Sequence, residues 1–231
     1  MSVTVIHLLR HGKVQNPGDI LYGRLPGYRL AESGRAMAAG VADYLIGSDI
    51  AYLAASSLQR AQETAAPIAS TFGLPIVTDD RIIEAANEFE GIAFGLNGAT
   101  FGRPGNLLKL RDPLRPSWGE PYLGIAHRML GAIYAAVAAA DGRQAVLVSH
   151  QLPIVTARRF LQGKRLWHDP RRRTCSVASL TSLSFTDGVF TGSTYAEPVR
   201  HIAAVNDLEP VDPPGGAVAP AATITPTGQV R

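Results

Sequence analysis

Two uninterrupted apolar runs constrain this chain more than any other feature. Val3–Leu9 (VTVIHLL) and Ala145–Ser149 (AVLVS) show no alternation of polar and apolar residues. That is the pattern of strands buried on both faces, as in a parallel sheet covered by helices. Each run leads into a histidine: Arg10-His11-Gly12 follows the first and His150 follows the second. In open parallel sheets, ligands bind beyond the carboxyl ends of the strands. A single histidine is ordinarily a surface residue or a satisfied core residue. Two at matching strand ends face one crevice if their strands are neighbours.

The rest of the chain is compatible with such a sheet. A loop rich in glycine and proline, Gly12 to Gly27, precedes an amphipathic helix over Glu32–Ile46. A strand is expected at Ile50–Ala55, a helix at Leu58–Phe72, a short strand at Leu74–Thr78, and a helix at Pro153–Gln162. Val177–Phe185 and Val189–Tyr195 read as a hairpin turning at Asp187-Gly188. Alternating strands and helices predict an α/β protein, a three-layer α/β/α sandwich with a mostly parallel central sheet. The 231 residues suit one large domain, placed at residues 1–208. It carries an insert at about 91–122, irregular and rich in Gly, Pro and Arg. From residue 209 to 231 the chain is mostly Pro, Gly, Ala and Thr, with almost nothing to bury, and reads as a flexible tail.

A third segment adds charge. Ser56 and Gln59 have the spacing of a capping box, so a helix is expected to begin there. Arg60 then falls in the first turn, near free amides and the positive end of the helix dipole, which together make an anion site. Of the 22 basic residues only Lys13, Lys109 and Lys164 are lysines. Arginine's planar fork suits phosphate and carboxylate, although an alanine- and arginine-rich composition accounts for the same bias.

Composition excludes several classes. One cysteine, Cys175, leaves no disulfide framework and no cysteine-cluster metal site. A net charge of +3 is too mild to argue for nucleic acid. The longest uncharged apolar stretch, Gly131–Ala140, falls far short of the roughly 20 residues a membrane span needs. The N-terminus has no basic region before its apolar run. A cytoplasmic protein with no membrane partner is expected. No metal and no cofactor are expected either, since the histidines lack a ligand spacing with carboxylates.

Here the sequence resembles a known family. Leu8–Gly12 (LLRHG) looks like the L-x-R-H-G signature of the histidine phosphatase superfamily, which includes the cofactor-dependent phosphoglycerate mutases. Ser56–Thr64 (SSLQRAQET) is similar to its S-P-L-x-R-A-x-x-T segment, Leu30–Ala36 (LAESGRA) to its L-T-x-x-G segment, and Val146–Gln151 (VLVSHQ) to its V-x-V-S-H-G segment. Gly119-Glu120 followed by Arg128 resembles its G-E-S…R helix start. The segments stand in the family's order over roughly residues 3–160. The resemblance implies a phosphoglycerate mutase-like fold and a phosphohistidine mechanism. His11 would be the nucleophile, and Arg10, Arg60 and His150 would hold the phosphoryl oxygens. Gly12 and Asn16 would contact phosphate, although Asn16 also serves as an Asn-Pro turn starter. Arg24 could reach the substrate. The backbone amide of Gln151, which replaces a glycine, could bind phosphate while its side chain decorates the pocket.

The resemblance also calls for an acid after the third strand. Glu84 in Ile82–Gly91 (IIEAANEFEG) is the assignment, with Glu88 and Glu90 as rivals, because the segment is one residue short and Asn87, which tolerates left-handed backbone, stands for a glycine. Ala31 replaces a capping threonine and Ser57 a proline. His7, His127, His168 and His201 match no family site and are read as structural. Arg171-Arg172-Arg173 reads as a solvated turn or a second anion contact, and Cys175 as core at the opening of a strand. The implied activity is a phosphomonoester hydrolase acting on a small phosphorylated substrate. The first rival is a phosphoglycerate mutase, but this chain lacks the E-R-x-Y-G-x-L-x-G segment of such mutases. The second is a non-catalytic phospholigand-binding module. Arg103, Lys109, Arg111 and Arg115 make the insert basic, as a lid over the crevice or as an ordinary solvated loop.

Overall fold

The computed structural model describes residues 2–92 and 119–205. The four basic residues of the insert and the 209–231 tail lie outside the described residues. Six strands form one sheet: β1 (Val3–Arg10), β2 (Ile50–Ala55), β3 (Val77–Thr78), β4 (Gln144–Ser149), β5 (Leu180–Thr186) and β6 (Val189–Ala196). The order across the sheet is β3-β2-β4-β1-β5-β6. The first four strands run parallel, while β5 is antiparallel to β1 and β6 to β5.

The apolar runs are continuous because both faces of the sheet are covered. In β4, Ala145 and Leu147 belong to one hydrophobic cluster, and Val146 and Val148 to another. In β1, Ile6 and Leu8 join the first cluster and Leu9 the second. Helices α1 (Glu32–Tyr44) and α2 (Gln59–Phe72) pack on one face through Met37, Val41, Ala61 and Ile68. Helices α3 (Tyr122–Ala140) and α4 (Gln151–Leu161) pack on the other through Ile125, Met129, Ile133 and Ile154. This is the three-layer sandwich, with a short α5 (Arg200–Val205) packed against α1. Helix α3 has 19 residues and a mean hydropathy of 1.4, long and apolar enough to cross a membrane by length and composition. The inward face of α3 lies on the sheet, which accounts for that apolarity.

Several local expectations need correction. The capping box at Ser56 does not form: Leu58 caps α2, and neither it nor any side chain supplies a cap bond. Ser56 is instead drawn into the interior by a histidine partner, described below. The strand read from Val177 starts at Leu180, so Cys175 is buried in the connection before it and opens no strand. The third strand shrinks to two residues, and α4 begins at Gln151 because His150 is its cap. Asn87 is not left-handed: among the described non-glycine residues, positive φ falls at Asp19, Asp141, Ala178 and Asp187. Its side chain accepts from the amide of Phe89 at 2.9 Å instead. The hairpin turn forms at Asp187-Gly188, with φ of 48° and 77°. Positive values at both central residues are the requirement of a tight turn whose twist matches the strands.

Candidate active site

Parallel pairing of β1 with β4 sets the site. Arg10 sits opposite Ser149, so the next residue of each strand, His11 and His150, emerges at the same edge. Their ring centroids are 5.1 Å apart, and both side chains are buried, at 2% and 0% exposure. The His11 amide donates to the Ser149 carbonyl at 3.1 Å, and the His11 carbonyl accepts from Ala178 at 3.2 Å. The strand end is thus fixed from both sides.

The chemistry of the partners fixes the His11 tautomer. Its Nδ1 lies 2.8 Å from the Gly12 carbonyl. A carbonyl only accepts, so Nδ1 carries the hydrogen and Nε2 keeps its lone pair. Arg60 Nε donates to that Nε2 at 3.3 Å. Burial, then the charges of Arg60 and Arg10, hold the His11 pKa well below the usual histidine range. His150 is depressed the same way, by burial first and then by His11 and Arg60. Its Nε2 is 2.7 Å from Ser56 Oγ and its Nδ1 is 3.4 Å from Arg60 Nη2. The Ser56 hydroxyl can donate or accept, so it serves either tautomer.

Arg60, 1% exposed, is held by the Gly23 carbonyl at 2.7 Å and by the face of Tyr22, 4.8 Å from the guanidinium carbon. Arg10 donates to the Cys175 carbonyl at 2.7 Å, and its Nε is buried with no hydrogen-bond partner. Gly12 and Gly34 are required by the close approach of two backbone segments. A Cβ on Gly12 would stand 2.6 Å from the Gly34 oxygen, and one on Gly34 2.0 Å from that of Lys13. The Gly12 amide already donates to Thr64 Oγ1 at 3.1 Å.

Arg10, His11 and Tyr22 open into a cavity of about 570 Å³, which Glu84, Phe89, Tyr122, Gln151, Leu152 and Arg173 line as well. Glu84 is half-buried there. Burial raises its pKa, against the opposing pull of its own hydrogen bond from Ala85 and of Arg60 and Arg10. The carbonyls of residues 81–84 are all bound by side chains. Arg128 Nη1 donates to those of Arg81 and Ile83, Ser149 Oγ to that of Ile82, and Arg24 Nε to that of Glu84, each at 2.7 Å. Glu120 holds this bracket together, accepting from Arg128 at 2.7 and 3.0 Å and from Arg24 at 3.1 Å. The Gly119-Glu120…Arg128 motif therefore positions the segment that carries Glu84.

The other expected residues divide. Asn16 lines the cavity, but its side chain ties its own loop, accepting from the Ile20 amide at 3.1 Å and donating to the Ile20 carbonyl at 2.9 Å. Arg24 lines an adjoining outer cavity with Glu88 and Glu90, not the one that holds His11. Glu90 accepts from the Arg24 amide at 3.0 Å. Gln151 lines the site and donates to the Cys175 carbonyl at 3.4 Å. His7 bridges Ser182 and Gln144 across the sheet. The arginine run splits: Arg171 and Arg172 are solvated and pair with Asp169, while Arg173 lines the cavity. Among the described residues no group of three or more His, Cys, Asp or Glu could hold a metal ion. Tyr22 carries no local signal, because its contact with Arg60 joins positions distant in the chain. Ser56 carries the signal of a cap and Arg173 that of a basic run, and neither signal names the partner that the structure gives it.

Comparison with known proteins bears on the family and the fold. The profile of the histidine phosphatase superfamily (branch 1) matches residues 6–198. An uncharacterized protein of Mycobacterium tuberculosis is 51% identical over 195 residues, covering 84% of this chain and 96% of its own. A glucosyl-3-phosphoglycerate phosphatase of Mycolicibacterium vanbaalenii is 30% identical over 162 residues, covering 65% and 70%. Among solved structures, a mycobacterial hydrolase superposes with a TM-score of 0.69 at 23% identity, covering 84% of this chain and 97% of its own. A mycobacterial glucosyl-3-phosphoglycerate phosphatase does so with a TM-score of 0.67 at 25% identity, covering 84% and 96%.

Proposed function

The chain belongs to the histidine phosphatase superfamily (branch 1), and from that membership and the cavity we propose a cytoplasmic phosphomonoester hydrolase that works through a phosphohistidine at His11. One observation carries the reading: a buried imidazole at the end of a strand whose Nδ1 is bound to the Gly12 carbonyl and whose unprotonated Nε2 accepts from Arg60, with Arg10 lining the same cavity. An unprotonated ring nitrogen is a nucleophile at neutral pH, and the depressed pKa keeps it so. Arg10 and Arg60 neutralise the phosphoryl oxygens. A phosphoryl oxygen would also satisfy Arg10 Nε, since a buried donor left unpaired costs about 1–3 kcal/mol. In the free site Arg60 Nη2 can only donate to His150 Nδ1, so the His150 hydrogen sits on Nε2; once that guanidinium turns to the phosphoryl oxygens, Ser56 can donate to Nε2 and leave an Nδ1 hydrogen for phosphate.

In the first step the His11 Nε2 lone pair attacks phosphorus in line. The N–P bond forms as the ester P–O bond breaks, and the leaving oxygen takes the proton of Glu84. A carboxyl whose pKa is raised by burial retains that proton more readily. In the second step the Glu84 carboxylate accepts a proton from water, whose oxygen attacks phosphorus. The N–P bond breaks, and inorganic phosphate leaves with His11 and protonated Glu84 restored. No step calls on a metal or an organic cofactor. Glu88 and Glu90 are weaker candidates because neither lines the cavity with His11.

The relative named for glucosyl-3-phosphoglycerate supports hydrolysis of a small phosphorylated metabolite over isomerisation. The test is phosphate release from a panel of phosphomonoesters, run beside a mutase assay with 3-phosphoglycerate and a bisphosphoglycerate primer. Release with little or no 2-phosphoglycerate is expected. Rapid isomerisation without comparable release would reverse the reading.

A further inference from the structure

Arg173 is the cavity-lining cation with no part in the mechanism above. Its two neighbours in the run, Arg171 and Arg172, have side chains 89% and 88% exposed and pair with Asp169. Arg173 turns the other way and is half-buried in the wall. Its Nε donates to His168 Nε2 at 2.9 Å. His168 Nδ1 lies 2.6 Å from the Leu166 carbonyl, so Nδ1 carries the hydrogen and Nε2 is free to accept. The histidine therefore orients the fork without neutralising it. Among the described residues no carboxylate lies within ion-pair distance of Arg173, and its terminal nitrogens have no hydrogen-bond partner.

The charge balance of the cavity points the same way. Arg10 and Arg173 line it and Arg60 stands against His11, so three positive charges bear on it. Of the acids lining it, Glu120 is paired with Arg128 and Arg24, Asp19 is exposed on its loop, and Glu84 holds a proton in the mechanism above. A phosphate dianion balances two of the three cations. Arg173 stands on the wall with Glu84, Tyr122 and Leu152. The electrostatic influence of Glu84 and Arg173 on each other is felt at both groups. Glu84 is the group proposed to meet the leaving oxygen, so Arg173 falls on the leaving-group side of the cavity in that reading.

We infer that Arg173 is a specificity residue that grips a second anionic group, a carboxylate or a further phosphate, on the alcohol portion of the substrate. A guanidinium fork with its terminal nitrogens unoccupied matches the two oxygens of either group. This inference rests on the phosphatase reading and narrows its substrate class to phosphomonoesters whose leaving alcohol is itself an anion.

The test compares matched esters: glycerol 3-phosphate, 3-phosphoglycerate and glycerol 1,3-bisphosphate. The first two differ in a hydroxymethyl against a carboxylate, and the third supplies a second phosphate. Wild type should favour one of the two anionic esters in kcat/KM. Arg173→Gln should lower that preferred value by about 10- to 100-fold, mostly through KM, as expected for losing hydrogen bonds to a charged group. Glycerol 3-phosphate should change less than about twofold. Arg171→Ala with Arg172→Ala should leave the ratio untouched. An equal loss on all three esters would mean that Arg173 holds the reacting phosphate, and the inference fails. An unchanged ratio in a variant that still turns over all three also overturns it while leaving the phosphatase reading intact. If wild type hydrolyses no phosphomonoester, the phosphatase reading falls and this one with it.

Discussion

The two walls of the cavity are held in place by different means. The strand-end wall, with His11 at the cavity and His150, Ser56 and Arg60 packed behind it, is almost wholly buried, and the register of β1 on β4 sets the two histidines. The opposite wall, with Glu84, Tyr122, Gln151 and Arg173, comes from connections and helix starts and is half-buried. Side chains from elsewhere hold it: Arg24, Arg128 and Ser149 bind the carbonyls of residues 81–84, and His168 orients Arg173. Main-chain pairing places the groups proposed to form and hold the phosphoenzyme. Side-chain brackets place those proposed to meet the leaving group. The first wall is rigid because strand pairing leaves no slack. The second can be altered one bracket at a time.

The largest effect should come from the strand-end wall. His11→Ala should lower turnover on the order of 10⁴-fold or more. It should also abolish the acid-labile, alkali-stable phosphoenzyme trapped by rapid quenching of a labelled donor. Wild-type turnover in that variant would remove His11 as nucleophile.

Next comes Glu84 on the opposite wall. Glu84→Gln should cost about 10²–10⁴-fold on sugar phosphates, and much less on an activated aryl phosphate, whose leaving group hardly needs a proton. Equal losses on both would shift the role to Glu88 or Glu90. The pH profile carries a sign. The His11 pKa is lowered, so the nucleophile stays neutral well below the ordinary histidine range. The Glu84 pKa is raised, so its proton is present on the acid side and lost as pH climbs through that raised value. Above it, kcat/KM for a poor leaving group should decline by about tenfold per pH unit. Glu84→Gln should flatten that alkaline limb.

A smaller effect tests the bracket. Arg128→Ala releases the carbonyls of Arg81 and Ile83 and one side of Glu120. Misplacing Glu84 should cost about 10- to 100-fold on poor leaving groups, with the aryl phosphate again spared. A loss shared evenly by both substrates would indicate damage beyond the acid's wall.

The smallest effects are in stability, read from denaturant midpoints. Gly12→Ala forces a methyl against the Gly34 carbonyl and should destabilise the fold by about 1–3 kcal/mol. Gln151→Ala, on the bracketed wall, should stay within about 0.5 kcal/mol of wild type. Similar losses from both would erase the contrast between the walls.

Much of the strand-end wall was legible in the amino-acid order. An apolar run followed by Arg10-His11-Gly12, and a second ending at His150, need only local pattern to be read as buried strands that end at a crevice. The order of the segments then suggested the family, and Glu84 was named with two rivals. What local pattern misjudged was partner choice. The spacing of Ser56 to Gln59 is that of a cap, but the His150 ring, 94 positions away, takes the hydroxyl. Arg173 looked like Arg171 and Arg172 because three adjacent arginines are equivalent until a wall faces one of them.

By itself the sequence determined the sheet's buried strands, the helices on either face and the residues at the strand ends. Hydrophobic period and strand alternation are properties of neighbours along the chain. Only the tertiary structure decided which carboxylate shares a cavity with His11, which arginine of three turns inward, and which carbonyls Arg24 and Arg128 bind. Those outcomes depend on groups brought together from far apart in the chain, where burial and the need to satisfy each polar atom choose among partners that spacing leaves equal.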